Sequence, residues 1–226
     1  MATEITALPK LYIGIDIHKK SWSVHIRTDI SDHKNFTVPS DPSVVYDYVN
    51  KHFMGYQVAL TYEAGCCGFS AARYFMQMCW EVMVVNPADV PTNNKQYYQK
   101  TDALDCRNLS RQLSLGELKG IFVPDEREDE LKSLLRHRAA ITRQLRTAKT
   151  HIKSFLLYHG IKIPEEHDNP YWTKAFIVWL KDIKWNALTG KLCLESKLRV
   201  YEFIYGEYLG LANELRAYCR QHHKKD

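Results

Sequence analysis

Four carboxylates stand out by where they fall in the chain: Asp16 in "YIGIDIHK", Glu63 in "YEAG", and Asp102 with Asp105 in "KTDALDC". Asp16 sits beside Gly14 among Ile13, Ile15 and Ile17, where a lone charge in mid-strand is costly. Glu63 closes an apolar segment just ahead of Ala64-Gly65. The carboxyl ends of strands in open α/β sheets border the ligand crevice. Asp102 and Asp105 are three residues apart near a helix start, so both project from one helix face. If the four converge, their mutual repulsion calls for hard cations, and oxygen donors select Mg²⁺ or Mn²⁺. Two such ions about 3.5–4 Å apart are a clamp for in-line displacement at a phosphodiester. Each acid taken singly also has a local explanation. Asp102 answers the helix dipole, Asp105 is a surface residue, and Glu63 is a strand-end charge.

The elements that would position these acids follow from periodicity. "LYIGIDIH" alternates with period two, and so does "SWSVHIR", with Trp22, Val24 and Ile26 on one face. The short Lys19-Lys20 link makes them a hairpin. "KNFTV" is a third strand. Asp41 is an N-cap with Pro42 at the first helical position of "SDPSVVYDYVNKHF". "QVALTYE" is a central strand and "EVMVVNP" another. Between them "CGFSAARYFMQMCW" is a helix with Phe69, Ala72, Phe75, Met76 and Cys79 on one face. The loop "PTNNKQYYQK" leads into a helix capped by Thr101 and stopped by Gly116. An opening antiparallel meander followed by parallel crossovers predicts a mixed five-stranded α/β sheet over residues 1–123.

Beyond Pro124 the pattern becomes helical. Leu131, Arg138, Leu145 and Ile152 recur every seven residues, as do Leu134, Ile141, Ala148 and Phe155, offset by three. This is a heptad seam broken only by Arg138. From Leu131 to Ile163 there is no acid, while Lys132, Arg136, Arg138, Arg143, Arg146, Lys149, Lys153 and Lys162 are basic. Such a surface suits phosphate contact, with a solvated helix face as the alternative. A short apolar helix at "WTKAFIVWLKDIKW" and a long one from Leu192 complete an all-α, coiled-coil-like arm over residues 124–226, which could also pair between subunits.

The bulk figures agree with an ordinary globular chain: 226 residues, 45% hydrophobic, 25% charged, formal net charge +5. The mild basic excess only hints at a polyanionic partner. Six cysteines without a CxxC pair suit reduced thiols in a cytoplasmic protein. No apolar run reaches the ~20 residues of a membrane span, and the first residues show no signal pattern.

The three motifs, in this order and spacing, resemble the N-terminal domain of DEDD transposases of one insertion-sequence group, the RuvC-like, bridge-RNA-guided recombinases. The resemblance runs from Leu11 to about Gly160. It implies an RNase H-like (RuvC-like) fold with Asp16, Glu63, Asp102 and Asp105 as catalytic residues and ligands of Mg²⁺ or Mn²⁺, two ions in all. It also implies a guide RNA, target and donor DNA, a homo-oligomer (dimer or tetramer) through the arm, and a prokaryotic, nucleoid-associated setting. Lys100 and Thr101 belong to the same motif. His18 and Lys19 follow the first acid, where His18 could meet a metal-bound water or a phosphate. Lys95, Tyr97 and Lys100, in a loop mixing aromatic and basic residues, are candidate nucleic-acid contacts. So are Arg136, Arg143, Arg146, Lys149 and Lys153 on the arm. The family's full proteins carry a C-terminal domain with a serine that attacks DNA. Nothing here matches it, so that domain is expected to be absent and the chain alone inactive.

Two other readings compete. In one, the chain is a non-catalytic nucleic-acid-binding and oligomerisation module of a recombinase. In the other, "GIDIH" is the phosphate loop of an actin-like ATPase or kinase. Such loops need small residues where backbone amides approach phosphate, and His18-Lys19-Lys20 supplies none.

Overall fold

A computed structural model describes residues 8–91, 102–168 and 171–222. The chain divides into two compact units, Met1–Glu126 and Arg127–Asp226. The first holds strands β1 (Lys10–Ile17), β2 (Ser21–Thr28), β3 (Asp32–Pro39), β4 (Gln57–Glu63) and β5 (Glu81–Val85). Its helices are α1 (Pro42–His52), α2 (Ser70–Gln77) and α3 (Asp102–Leu115). The sheet order is β3-β2-β1-β4-β5. The first three strands form the antiparallel meander, and β4 and β5 run parallel to β1. This is the mixed, RNase H-like arrangement expected from the sequence.

The alternation in β1 sorts its side chains onto two faces. Leu11, Ile13 and Ile15 are buried with Val24, Ile26, Leu60 and Tyr62, and with Val45, Val49, Ala72 and Phe75 of α1 and α2. Asp41 caps α1, accepting from the Ser43 amide at 2.9 Å. The opposite face carries Gly14 and Asp16 and receives α3. Val85, Val90 and Leu109 are buried there together. Gly14 is what lets α3 approach. A Cβ on it would overlap the Cys106 carbonyl oxygen and lie 2.6 Å from the Ser110 amide nitrogen. His25, paired with Gly14 across the β1–β2 ladder, reaches the same helix and meets the Ser110 hydroxyl at 2.7 Å.

One element differs from the sequence expectation. Helix α2 is shorter than "CGFSAARYFMQMCW" suggests, and its buried residues are Ala71, Ala72 and Phe75, while Cys79 is exposed. The helix stops because Cys79 adopts a left-handed φ of 62°. The Trp80 amide returns to the Phe75 carbonyl at 3.1 Å and the Cys79 amide to Met76 at 3.0 Å. This closure satisfies the last helical carbonyls. Trp80 then stacks on Phe75, with ring centroids 5.0 Å apart.

The second unit holds α4 (Glu126–Tyr158), α5 (Lys174–Asp182) and α6 (Leu188–His222). Helices α4 and α6 run antiparallel: Arg127 meets the Tyr218 hydroxyl at 3.3 Å, Arg138 lies over the Tyr208 ring and Lys197 lies over Phe155. The heptad seam becomes a buried stripe of Ile141, Leu145, Ala148 and Ile152, joined by Phe176, Leu180, Leu194, Leu198 and Tyr201. The seam is thus filled by the chain's own helices along this stretch. Arg138 survives in it by placing its guanidinium 5.8 Å from the Tyr208 ring centroid. No helix among the described residues is long and apolar enough to cross a membrane.

Candidate functional site

Strand β1 and helix α3 bring distant residues together. Asp16 stands at the carboxyl end of β1, His18 just beyond it, and Asp102 in the first turn of α3. His18 Nε2 lies 3.2 Å from an Asp16 carboxylate oxygen and 3.5 Å from one of Asp102. The ligand atoms of these three residues fall within 4.8 Å of one another. Asp16 is mostly covered, while His18 and Asp102 are open to solvent. Burial holds the Asp16 carboxyl above its ordinary pKa, His18 opposes this, and the charges of Asp102 and Asp105 raise it further. Asp105 is half-buried and close enough for Asp16 to feel its charge.

Glu63 is placed by the ladder. Strands β1 and β4 pair in parallel through Ile15 and Tyr62, so Asp16 and Glu63 are the next residues at the same sheet end. Residues paired in a parallel ladder share a face. Glu63 pairs with Val85, whose side chain packs with Leu109 of α3. It therefore belongs to the face that carries Asp16.

The structure thus gathers Asp16, His18 and Asp102, with Asp105 a turn further along α3 and Glu63 at the same strand ends. The motif residues Lys95, Tyr97, Lys100 and Thr101 lie outside the described residues. Pro91, the last described residue before them, is held by α3, because its carbonyl accepts from Gln112 Nε2 at 2.5 Å and Asn108 Nδ2 at 3.2 Å. Cys106, the last residue of "KTDALDC", is buried beneath the acids. Burial, then the Asp16 charge, push its thiol up to about 12, so it is a neutral packing group rather than a thiolate. Lys19 is exposed, and its carbonyl accepts from the Ser40 hydroxyl at 3.1 Å.

Residues that pin α3 from the meander were not singled out in the sequence. Asn35 Nδ2 donates to the Ala103 carbonyl at 3.1 Å, and Arg107 binds Asp32 through Nε at 3.0 Å and Nη2 at 2.5 Å. Arg107 holds the Asp32 carboxyl below its usual pKa against the opposing effect of burial. No local pattern signals these contacts, since they join segments about 70 residues apart. His18 carried a weak signal, two residues past Asp16 at a strand end.

On the helical unit, Lys132, Arg136, Arg143 and Arg146 fall on the side of α4 opposite its buried stripe and are exposed. They span about 21 Å of helix at 1.5 Å per residue. Lys149 and Lys153 turn inward. Lys149 Nζ lies 5.6 Å from the Trp172 ring centroid, and its pKa is lowered first by burial and then by Lys153. Lys153 pairs with Asp168 at 3.3 Å. The acid that α4 lacks after Glu130 is thus supplied by the following loop.

A transposase family model, the DEDD type of IS110 elements, matches residues 13–160. The chain belongs to the IS110-type DEDD transposases. Asp16, Glu63, Asp102 and Asp105 all lie inside the matched span. Among curated relatives, the transposase for insertion sequence element IS1533 of Leptospira borgpetersenii is 25% identical over 182 residues, covering 78% of this chain and 51% of its own length. The Sinorhizobium fredii protein y4qE, whose name describes a transposase, is 29% identical over 149 residues, covering 65% of this chain and 37% of its own length. The chain spans about half or less of the length of these relatives.

Proposed function

We propose that this chain supplies the metal-dependent acidic centre and a phosphate-gripping helix of an insertion-sequence transposase that cleaves and exchanges DNA strands under RNA guidance. The observation that carries the reading is the approach of Asp16, His18 and Asp102 from β1 and α3, inside the span matched by the DEDD family. A partly buried carboxyl crowded by two further acids is the setting in which a hard cation offsets repulsion. The donors fit such an ion. Asp16 and Asp102 would hold it, with Asp105 and Glu63 flanking, and His18 as a direct donor would favour Mn²⁺ over Mg²⁺. When bound, the ion or ion pair would stabilise charge on the oxygens of a phosphodiester undergoing displacement.

The protein's own share is positional. Gly14 seats α3 on the sheet, and Asn35 and Arg107 fix its first turns, so that the acids hold their spacing. Asn108 and Gln112 of α3 hold Pro91 through its carbonyl. The exposed basic side of α4 provides contacts to phosphates of RNA or DNA that read no sequence. The DNA-attacking serine expected of the family's whole proteins would complete the reaction, with subunits pairing through the helical unit.

The test is strand exchange by the element's transposase in cells. Asp16→Asn and Asp105→Asn are expected to abolish it while leaving circular dichroism unchanged. Exchange at the unsubstituted rate by either variant overturns the reading. The alternative, a binding and assembly module without turnover, is supported by the exposed basic stripe alone. It predicts that both variants keep exchange and that only nucleic-acid binding responds to changes on α4.

A further inference from the structure

The chain leaves β4 through a tight turn that holds two adjacent thiols. The Gly68 amide donates to the Gly65 carbonyl at 3.2 Å, which places Cys66 and Cys67 at the two central positions. Gly68 takes a left-handed φ of 59°. Both thiols are free, Cys66 exposed and Cys67 half-buried, with their sulfurs 3.8 Å apart. The turn is tethered to the core, because the buried Tyr62 donates its hydroxyl to the Gly68 carbonyl at 3.1 Å. The two sulfurs are therefore held together by a turn that is itself held from below.

A direct bond between them is disfavoured by geometry. Adjacent Cα atoms stand about 3.8 Å apart across a trans peptide, short of the roughly 4.4–6.8 Å of ordinary disulfides. A disulfide would also need the sulfurs at about 2.05 Å. An atom inserted between them meets neither obstacle. Two sulfurs bonded to one tetrahedral centre at about 2.3 Å lie about 3.8 Å apart, the separation already present, and the narrower angles of pyramidal trivalent arsenic need the thiols to close by only a few tenths of an ångström. Thiolate donors select soft centres.

We infer that Cys66 and Cys67 form a two-sulfur site for a soft, thiophilic centre, trivalent arsenic being the defining probe. With phenylarsine oxide in its hydrated form, two S–H and two As–OH bonds break, two As–S bonds form and two waters leave. Arsenic stays trivalent, so no oxidant or reductant is needed. Cys66 reacts first because it is exposed. Burial and the contact with Cys66 hold the Cys67 thiol above its ordinary pKa, so it closes the ring second. The turn begins two residues after Glu63, so occupation would stiffen the exit of the strand that carries that acid. This consequence rests on the functional reading above, whereas the binding itself does not.

The test is intact mass spectrometry of the full chain under native conditions with one equivalent of phenylarsine oxide. The unsubstituted chain is expected to take one phenylarsenic group, keep it against excess glutathione, and lose it to 2,3-dimercaptopropanol. Cys66→Ser and Cys67→Ser are each expected to lose the glutathione-resistant adduct. Cys79→Ser, Cys193→Ser and Cys219→Ser, which change the other exposed thiols, are expected to keep it. Circular dichroism checks that every variant is folded. Retention by Cys66→Ser or Cys67→Ser, or removal from the unsubstituted chain by glutathione alone, overturns the proposal.

Discussion

Substituting Gly14 by alanine strikes the contact that places α3, and with it Asp102 and Asp105, over the sheet. The added Cβ would overlap the Cys106 carbonyl oxygen, lie 2.6 Å from the Ser110 amide nitrogen and 3.1 Å from Leu109 Cβ. Two of these three atoms are backbone, so no rotamer change relieves the clash. Overpacking a well-filled site costs about 1–3 kcal/mol, and with backbone on the far side the cost belongs at the upper end, about 3 kcal/mol. With a urea slope of about 2 kcal/mol per molar, the midpoint should fall by about 1.5 M. Gly55→Ala is the control. Gly55 has a left-handed φ of 86° but nothing near its Cβ position, so alanine there should cost about 1 kcal/mol of backbone strain alone. Urea unfolding followed by hydrogen exchange in β1 reports on the relevant unit. If Gly14→Ala changes stability by less than about 0.5 kcal/mol, or by less than Gly55→Ala, close seating of α3 on β1 is refuted.

Two further outcomes follow from particular side chains. Burial holds the His25 imidazole below its ordinary 6.5, so below that pH the unfolded chain binds a proton that the native chain resists. The unfolded state then carries more protons, and stability should fall as pH drops from about 6.5 towards the native pKa. His25→Gln should remove that slope, whatever it does to stability at pH 8, and an unchanged slope between pH 6.5 and 5 contradicts the assignment. Replacing Arg136, Arg143 and Arg146 together by alanine should weaken binding of structured RNA or duplex DNA and reduce the salt slope by about 2–2.7, at roughly 0.7–0.9 per phosphate contact. A slope equal to that of the unsubstituted chain would mean that this side of α4 meets no phosphate.

Much of the sheet was legible because its signals are local. The alternation through Ile13, Ile15 and Ile17 and the Asp41-Pro42 cap each occupy a few residues. The end of α2 was not legible, since Cys79 takes a backbone conformation that glycine usually occupies and nothing in "MQMCW" announces it. Of the heptad seam, Ile141, Leu145, Ala148 and Ile152 are buried on α4, while Leu131, Leu134 and Phe155 are half-buried and Leu156, outside the seam, is buried. A seven-residue period cannot say which helix fills it, and here α5 and α6 of the same chain do so along Leu145 to Leu156. In the same way the basic run of α4 named residues without their partners. Lys149 and Lys153 engage Trp172 and Asp168, whose approach depends on how the chain turns after Tyr158. At the site, the places of Asp16 at a strand end and Asp102 at a helix start could be read from local spacing. The part played by His18 needed the distance between β1 and α3, which no single segment encodes.

The central claim is that Asp16 and Asp102 jointly hold a divalent cation, and Mn²⁺ titration followed by the electron paramagnetic resonance of the free ion measures this without any reaction. The full chain should bind Mn²⁺. Asp16→Asn and Asp102→Asn should each weaken that binding at least tenfold, about 1.4 kcal/mol, while Glu117→Gln, an exposed acid beyond the end of α3, should leave it unchanged. Equal Mn²⁺ affinity in all four proteins, or no binding by the unsubstituted chain, would contradict the account.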